Sequence, residues 1–89
     1  MRELFTTTAF KKDIKRANKR GKDPGKLRHV IEKLLTKEPL ERKYKAHRLA
    51  GKMAPYWECH IEPDWLLVWD EDESVITLIR MGSHSDLFP

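Results

Sequence analysis

Side chains able to transfer protons are concentrated in the second half of the chain. Three of the four histidines lie there, namely His47, His60 and His84, and the carboxylate Asp64 follows His60 by four residues. An imidazole titrates near neutral pH and can donate or accept a proton there. Cleavage of RNA by attack of a 2′-hydroxyl needs a base, an acid and cations for the charge on phosphorus. Two imidazoles, or an imidazole and a carboxylate, supply the base and the acid without a metal ion.

Three further residues are candidates for binding an RNA substrate. Arg80 would counter the charge of a phosphate, and the rings of Trp65 and Phe88 would stack on unpaired bases. Structural explanations remain open beside these: a lone histidine is commonly a surface or capping residue, and an aspartate such as Asp64 commonly forms a turn. Trp65 could equally belong to the core, and Phe88 could dock on it. The fourth histidine, His29, lies at a polar position of a predicted helix and is given no role.

A zinc site would have to draw on Cys59, His60, His47 and His84. Consecutive residues of a strand point to opposite faces, so Cys59 and His60 cannot both ligate one ion without distortion. We therefore expect no metal and no other cofactor.

Charge is distributed unevenly along the chain, whose net charge is +4. Residues 11–52 hold 16 Lys and Arg against 5 Asp and Glu, a net of +11, whereas residues 53–89 hold one Arg against 8 acids, a net of −7. A basic region of this kind indicates a polyanion as partner. The alternative is a pair of helices with solvated, lysine-rich faces.

Length and composition limit the class of protein. We expect residues 1–89 to form a single domain. The only cysteine, Cys59, excludes an internal disulfide bond. The longest apolar run, residues 65–69, is too short to span a bilayer, and the first residues lack an apolar run of signal-peptide length. These observations predict a soluble, cytoplasmic protein.

Two helices are predicted in the first half of the chain. The first follows the threonine N-caps at residues 6–8, carries Phe10, Ile14 and Ala17 at helical spacing, and ends at Gly21. The second begins at Asp23-Pro24 and ends at Pro39, with five apolar residues at helical spacing between them. The short break between the helices predicts an antiparallel hairpin.

Strands are predicted on either side of these helices. Residues 2–6 form a short strand and residues 37–55 an irregular basic loop. From Tyr56 the period changes to two, which predicts strands ending near Glu62, at 65–70 and at 75–81. The order β-α-α-β-β-β predicts an α+β fold, in which a helix hairpin packs on one face of a mainly antiparallel sheet. The other face is then free for chemistry.

Three segments of the chain together resemble a known family. They are His47-Arg48-Leu49-Ala50-Gly51, then His60-Ile61-Glu62-Pro63-Asp64-Trp65-Leu66-Leu67, and finally Arg80-Met81-Gly82-Ser83-His84-Ser85-Asp86-Leu87-Phe88. Each is weak alone, but their order, spacing and chain length are similar to those of the RelE/ParE superfamily of bacterial toxins, specifically the YafQ-like mRNA interferases.

The resemblance implies a RelE-like small ribonuclease fold and metal-independent cleavage of mRNA in the ribosomal A site. The positions that match the family's functional residues are His47, His60, Asp64, Trp65, His84 and Phe88. It also implies a cognate antitoxin of the DinJ-like, ribbon-helix-helix type, with a monomeric free toxin and a heterotetrameric complex. The mRNA and the ribosomal RNA would be the polyanionic partners, and the acidic loop at residues 70–73 would point away from the ribosome.

Two other classes of function remain as alternatives. A ParE-like toxin would bind DNA gyrase without cleaving RNA, but that branch does not need this set of histidines. A non-catalytic RNA-binding module would explain the charge of residues 11–52. It would not explain Asp64 beside His60, because a carboxylate there repels RNA unless it has a chemical role.

Overall fold

A five-stranded mixed sheet carries the candidate residues, with its strands in the order β1-β5-β4-β3-β2. The computed structural model describes residues 1–89. Its strands are β1 (Glu3–Thr6), β2 (His47–Arg48), β3 (Trp57–Glu62), β4 (Trp65–Glu71) and β5 (Val75–Gly82). Its helices are α1 (Thr8–Lys19), α2 (Pro24–Leu35) and α3 (His84–Leu87), with 3-10 turns at Arg42–Tyr44 and Gly51–Met53. Only β1 pairs in parallel, with β5, and the other pairings are antiparallel.

The first helix forms where the threonines and the apolar spacing predict it. The Thr7 hydroxyl accepts a hydrogen bond from the backbone N–H of Phe10 at 3.0 Å, which caps the helix. After the helix, Gly21 adopts φ +75°, a left-handed conformation that glycine tolerates without strain. Phe10, Ile14 and Ala17 pack into the core as predicted.

The second helix begins as predicted but ends earlier. Asp23 caps it by accepting a hydrogen bond from the N–H of Gly25 at 2.8 Å. The prediction that Pro39 ends this helix is wrong, because its last residue is Leu35. There the hydroxyl of Thr36 donates to the carbonyl of Glu32 at 2.9 Å, and Lys37 turns the chain with φ +60°. No helix of the protein has the length and apolarity needed to cross a membrane.

Both helices contribute to one hydrophobic core on one face of the sheet. Phe10 of α1 and Val30 of α2 are buried against side chains of the three long strands. The strand residues of this core are Cys59, Ile61, Trp65, Leu67, Trp69, Ile76, Leu78 and Met81. They share one face by the period of two, except that a bulge in β5 opposite Val68 and Trp69 brings Met81 to the face of Leu78. The predicted α+β fold with its helices on one sheet face is confirmed.

The opposite face of the sheet is organised in rows by the strand register. One row runs across four strands and consists of His47, Glu58, Val68 and Arg80. The next row consists of His60, Leu66 and Gly82. Leu66 and Val68 have no exposed surface, so they form an apolar floor between the polar residues of these rows.

Two elements were not predicted from the sequence. The basic loop at residues 37–55 contains the strand β2, which pairs with β3 at the edge of the sheet. The segment after β5 contains the short helix α3 rather than an irregular tail. The observed order of helices and strands is therefore β-α-α-β-β-β-β-α.

Helix α1 also covers the free edge of β5. The parallel pairing ends at Thr6 opposite Leu78, so the following residues of β5 have no neighbouring strand on that side. The Thr7 hydroxyl donates to the carbonyl of Ile79 at 2.7 Å, and the Met81 N–H donates to the Asp13 carboxylate at 2.9 Å. The side chains of α1 thus take over the hydrogen bonds that a longer β1 would make.

Candidate active site

Three imidazole rings and one phenyl ring stand in a row at one end of the sheet. The ring centroids of His47 and His60 are 6.5 Å apart, those of His60 and His84 are 6.0 Å apart, and those of His84 and Phe88 are 6.3 Å apart. These residues come from β2, β3, α3 and the terminus, and no two of them are adjacent in the sequence. The tertiary structure therefore brings together the three histidines that the sequence singled out.

His84 is held by Asp64 from across the sheet end. The backbone N–H of His84 donates to Asp64 Oδ1 at 2.8 Å, and the ring Nδ1 lies 3.0 Å from the same oxygen. These two N–H groups hold the pKa of the Asp64 carboxyl below its usual value. A carboxylate only accepts, so Nδ1 carries the proton and Nε2 is free to exchange one with a substrate.

The position of His84 depends on the cap of α3. The Ser83 hydroxyl accepts from the Asp86 N–H at 3.2 Å, and the Asp86 carboxylate accepts from the Ser83 N–H at 2.9 Å. Arg20 of α1 donates to both oxygens of Asp86, at 2.6 and 3.2 Å. The Arg20 contact, followed by the Ser83 N–H, holds the pKa of the Asp86 carboxyl well below its usual range. The helix that carries His84 is therefore tied to α1 by an ion pair.

Space for this ion pair depends on the absence of a side chain at Gly82. A Cβ atom there would lie 2.9 Å from Asp86 Oδ2 and 2.9 Å from Nη2 of Arg16. Arg16 itself lies 3.6 Å from Asp86. A larger residue would have to displace the carboxylate that anchors α3.

His60 is oriented by the turn that follows its strand. Its Nδ1 lies 3.2 Å from the carbonyl oxygen of Pro63. A carbonyl oxygen only accepts, so Nδ1 donates and Nε2 faces away from this contact without a partner in the protein. The turn formed by Pro63 and Asp64 thus orients two imidazoles, His60 through its carbonyl and His84 through its carboxylate.

His47 has hydrogen-bond acceptors beside both ring nitrogens. Nδ1 lies 2.8 Å from the carbonyl oxygen of Lys45, and Nε2 lies 3.3 Å from Oε1 of Glu58. A neutral imidazole has one N–H and can donate to only one of them, whereas the doubly protonated ring can donate to both.

Glu58 is the residue of this site that the sequence did not single out. It lies on the same face of β3 as His60, yet only 5% of its surface is exposed and its Oε2 has no partner within the protein. Its signal was the shared face with His60, two residues away. A buried carboxylate with one unpartnered oxygen is costly, which is typical of a group kept for function.

Arg80 lies on the sheet face of the histidines but is turned toward α1. Its Nε and Nη2 donate to the two oxygens of Asp13 at 2.7 and 3.2 Å. These hydrogen bonds raise the pKa of the Arg80 guanidinium, which stays a cation. Asp13 is 2% exposed and also accepts from Arg16 at 2.8 Å. The sequence missed Asp13, although its position between Phe10 and Ala17 places it within the apolar stripe of α1.

Trp65 does not lie where base stacking requires it. Its side chain belongs to the same face as Leu67 and Trp69, is 3% exposed, and packs in the core. The amino group of Lys22 lies 5.6 Å from the ring centroid on that side of the sheet. The structure does not support the prediction that Trp65 binds substrate, because the period of two turns its ring away from the histidines. It supports the turn at Asp64 by packing.

Phe88 is 43% exposed and its ring lies beside His84, so the ring is accessible to a ligand.

Cys59 is fully buried on the helix side of the sheet, and this burial raises the pKa of its thiol to about 12. It therefore shares no site with His60, as the alternation of strand faces predicted.

Ten cationic side chains have no carboxylate within salt-bridge distance, and all lie between residues 11 and 52. Of the acids in that region, Asp13 pairs with Arg16 and Arg80, and Glu41 pairs with His29 and Lys33. The unpaired cations are Lys11, Lys12, Lys15, Lys19, Arg28, Arg42, Lys43, Lys45, Arg48 and Lys52. They give the protein a surface of uncompensated positive charge suited to a polyanion.

Comparison with known proteins connects this geometry to a family. Residues 2–89 match the family model described as the bacterial toxin of type II toxin-antitoxin systems, YafQ. The mRNA interferase toxin YafQ of Escherichia coli strain K12 is 35% identical over 88 residues, which are 98% of this chain and 96% of that protein.

Solved structures of related toxins superpose on nearly the whole chain. The toxin in the E. coli DinJ-YafQ toxin-antitoxin complex matches with a TM-score of 0.91 at 35% identity, covering 99% of this chain and 98% of that one. A metal-bound toxin from Helicobacter pylori matches with a TM-score of 0.93 at 42% identity, covering 99% of this chain and all of that one.

Proposed function

This chain belongs to the YafQ family of bacterial type II toxin-antitoxin toxins, and we propose that it inhibits translation by cleaving mRNA in the ribosomal A site. It is an mRNA interferase, that is, an endoribonuclease. The observation that carries the proposal is the row of three imidazoles in which His84 is held by Asp64. A toxin that only binds DNA gyrase would have no need of this arrangement.

His84 is the general acid of the proposed reaction. A base removes the proton of the 2′-hydroxyl, the 2′-oxygen attacks phosphorus, and the bond to the 5′-oxygen breaks. Nε2 of His84 donates a proton to the departing 5′-oxygen, while Asp64 stabilises the protonated ring through Nδ1. The products are a 2′,3′-cyclic phosphate and a 5′-hydroxyl end.

The remaining residues act on the proton and the charge. Asp64, whose Oδ2 has no partner in the protein, or His47 takes the proton from the 2′-hydroxyl. His60 directs its free Nε2 toward the phosphate and orients it. Arg80 remains a cation and adds positive charge, and Phe88 offers an exposed ring for a base. These side chains supply the base, the acid and the positive charge, so the proposed reaction needs no metal ion.

Ribosome dependence is proposed from the uncompensated positive surface. Lysines of α1 and of residues 37–55 would contact ribosomal RNA, with an affinity that falls as salt concentration rises. The acidic loop at residues 70–73 lies at the β4–β5 turn and would point away from the ribosome. The same reasoning assigns mRNA, presented by the ribosome, as the substrate.

A cognate antitoxin is the protein partner. The E. coli relative is found in a DinJ-YafQ toxin-antitoxin complex, and we propose an antitoxin of the same ribbon-helix-helix type here. The free toxin would be a monomer and the complex a heterotetramer. Light scattering of toxin expressed with and without the neighbouring small reading frame tests both states.

The role of His84 is tested with His84→Ala and a matched control. Primer extension on mRNA in a translating extract should show that His84→Ala abolishes cleavage, and expression should no longer arrest growth. The side chain is 58% exposed, so circular dichroism should show an unchanged fold. His29→Ala removes a histidine of α2 that pairs with Glu41 and lies beside the Tyr44 ring, outside the histidine row, and it should cleave normally. Full activity of His84→Ala would contradict the assignment.

The acid and the base can be separated with a modified substrate. An RNA whose 5′-bridging oxygen is replaced by sulfur has a leaving group that needs no acid. Cleavage by His84→Ala should be restored on this substrate, whereas a variant that lacks the base should stay inactive. Comparison of Asp64→Asn with His47→Ala then identifies the base. Failure of the sulfur substrate to restore His84→Ala would remove His84 from the role of acid.

Ribosome dependence is tested by comparing free mRNA with mRNA bound in ribosomes that have an empty A site. The expected result is cleavage of the bound mRNA alone. Equal rates on both substrates would contradict the proposal. A chelator selective for transition metals should leave the rate unchanged.

A further inference from the structure

A cavity of about 420 Å³ opens beside the row of histidines, between β3 and the turn at residues 42–44. It is lined by Lys26, Lys43, Tyr44, Lys45, His60, Ile61, Glu62 and Pro63. Small-ligand cavities in proteins usually measure about 300–1,000 Å³, so this one is large enough for part of a nucleotide. His60 lines this cavity and also belongs to the histidine row, so the cavity borders the row.

The charge of the cavity suits an anion. The only carboxylate of its wall, Glu62, is already neutralised, because Lys22 donates to one oxygen at 2.8 Å and Lys26 to the other at 2.9 Å. These two lysines hold the pKa of the Glu62 carboxyl below its usual value. Lys43 and Lys45 are exposed and have no carboxylate within salt-bridge distance. The wall therefore carries two uncompensated ammonium groups.

Each of these lysines is positioned by a contact, and that of Lys45 reaches a reacting group. The carbonyl oxygen of Lys45 accepts the Nδ1–H of His47 at 2.8 Å, so the backbone that carries this lysine also orients a histidine. Nε2 of His60 has no partner in the protein. The amino group of Lys43 lies 5.2 Å from the ring centroid of Tyr44, which holds it over the buried floor of the cavity.

We propose that this cavity binds the phosphate and sugar of the mRNA nucleotide adjacent to the cleaved bond, with Lys43 and Lys45 as the groups that bind its phosphate. This inference rests on the proposed function, because it takes the histidine row to hold the bond that is cleaved. It adds a binding subsite outside the seven residues picked out from the sequence. Its role is to fix the direction in which the RNA strand crosses the histidines.

Binding is measured with a fluorescein-labelled hexanucleotide of 2′-O-methyl RNA, whose blocked 2′-oxygen cannot attack phosphorus. The variant is the double substitution Lys43→Gln and Lys45→Gln in the full chain. Fluorescence anisotropy should show affinity reduced on the order of tenfold, since two partly exposed ion pairs are lost. The slope of log affinity against log salt should become less negative by about 0.7, the value for loss of one phosphate contact on a single strand.

The matched control removes the same charge elsewhere. Lys12→Gln with Lys15→Gln changes two exposed, unpaired lysines of α1, which packs on β5 at the other side of the sheet. These lysines are proposed to contact ribosomal RNA and not the mRNA strand, so this control should bind the hexanucleotide within about twofold of the unmodified protein. Amide NMR spectra of the unmodified protein should shift at Lys43–Lys45 and Glu62 on addition of the oligonucleotide.

Four outcomes would overturn the proposal. The first three are equal loss of affinity in the two double variants, oligonucleotide-induced shifts confined to α1, and absence of binding at millimolar concentration. Displacement of the oligonucleotide by a glutamate-rich peptide at equal concentration would instead assign the cavity to an acidic protein and also overturn it. Cleavage of mRNA by the unmodified protein in a translating extract is scored separately. A normal cleavage result with a failed binding result removes the subsite and leaves the proposed function intact.

Discussion

Replacement of Asp13 by asparagine should destabilise the protein by about 3 kcal/mol. The carboxylate is 2% exposed and accepts four hydrogen bonds, two from Arg80, one from Arg16 and one from the Met81 N–H. An asparagine of the same shape keeps one accepting oxygen and points an N–H₂ group at donors, so about two of these bonds are lost. Breaking a buried ion pair costs about 3–5 kcal/mol. The lower end applies because Arg16 and Arg80 are each about one-third exposed.

The assay is unfolding of Asp13→Asn by urea and by heat, monitored by circular dichroism. In a chain of this size, about 1 kcal/mol shifts the melting temperature by about 4–8 °C, so a loss of about 3 kcal/mol should lower it by about 12–24 °C. The slope of the free energy of unfolding against urea concentration should be unchanged, because the same surface is exposed on unfolding. Glu3→Gln is the control: Glu3 is exposed, its side chain makes no hydrogen bond, and the change should stay within about 0.5 kcal/mol.

A double-mutant cycle separates the Arg80 contact from the rest of the network. Asp13→Asn, Arg80→Met and the double variant should show a coupling energy of at least about 1 kcal/mol, because the two residues share two hydrogen bonds. In Asp13→Asn, Arg80 is no longer held by the carboxylate, so the rate of cleavage should also fall when it is measured at a temperature where the variant is folded. A stability change of Asp13→Asn below about 0.5 kcal/mol would refute the reasoning, since the buried carboxylate would then not hold α1 against β5.

Three further predictions concern single groups of the site and the core. Glu58→Gln should lower the rate of cleavage by at least about tenfold, because it removes the carboxylate beside His47. Urea unfolding of this variant should show equal or higher stability, because a buried carboxylate with one unpartnered oxygen is lost. An unchanged rate of cleavage would contradict this role of Glu58. Because the pKa of Asp64 is lowered in the folded protein, its contact with His84 stabilises above about pH 3.9 and is lost as the pH falls further. The difference in urea midpoint between Asp64→Asn and the unmodified protein should therefore be smaller at pH 3 than at pH 6. An equal difference at both pH values would rule out this linkage. Burial raises the pKa of the Cys59 thiol to about 12, so Cys59 should not react with dithionitrobenzoate at pH 8 until the protein is unfolded in urea. Rapid release of thionitrobenzoate from the folded protein would contradict this prediction, because it would show that the thiol is accessible.

The alternation of side chains between the two faces of a strand explains both a correct and an incorrect prediction about the site. It correctly separated Cys59 in the core from His60 on the other face. The same rule places Trp65 with Leu67 and Trp69, and applying it there would have assigned Trp65 to the core. The serine and aspartate at positions 83 and 86 have the spacing of a capping box, which was a local signal for α3.

The sequence by itself determined the elements whose signals are local. Caps and apolar spacing define the starts and the buried faces of α1 and α2, alternation defines β3, β4 and β5, and residue type identifies the histidines that transfer protons. These signals act within a few residues, because caps, helical turns and strand faces are set by neighbouring backbone groups.

Only the tertiary structure decided which of these residues meet. The pairing of β2 with β3 places His47 beside Glu58, and the end of β5 brings His84 to Asp64, 20 residues away in the chain. The sheet edge left by the short strand β1 places Asp13 against Arg80. Such contacts depend on strand register and edge geometry, which are selected by the packing of the whole core rather than by any one segment. The sequence therefore identified the groups that perform the chemistry, and the fold decided which of them orient one another.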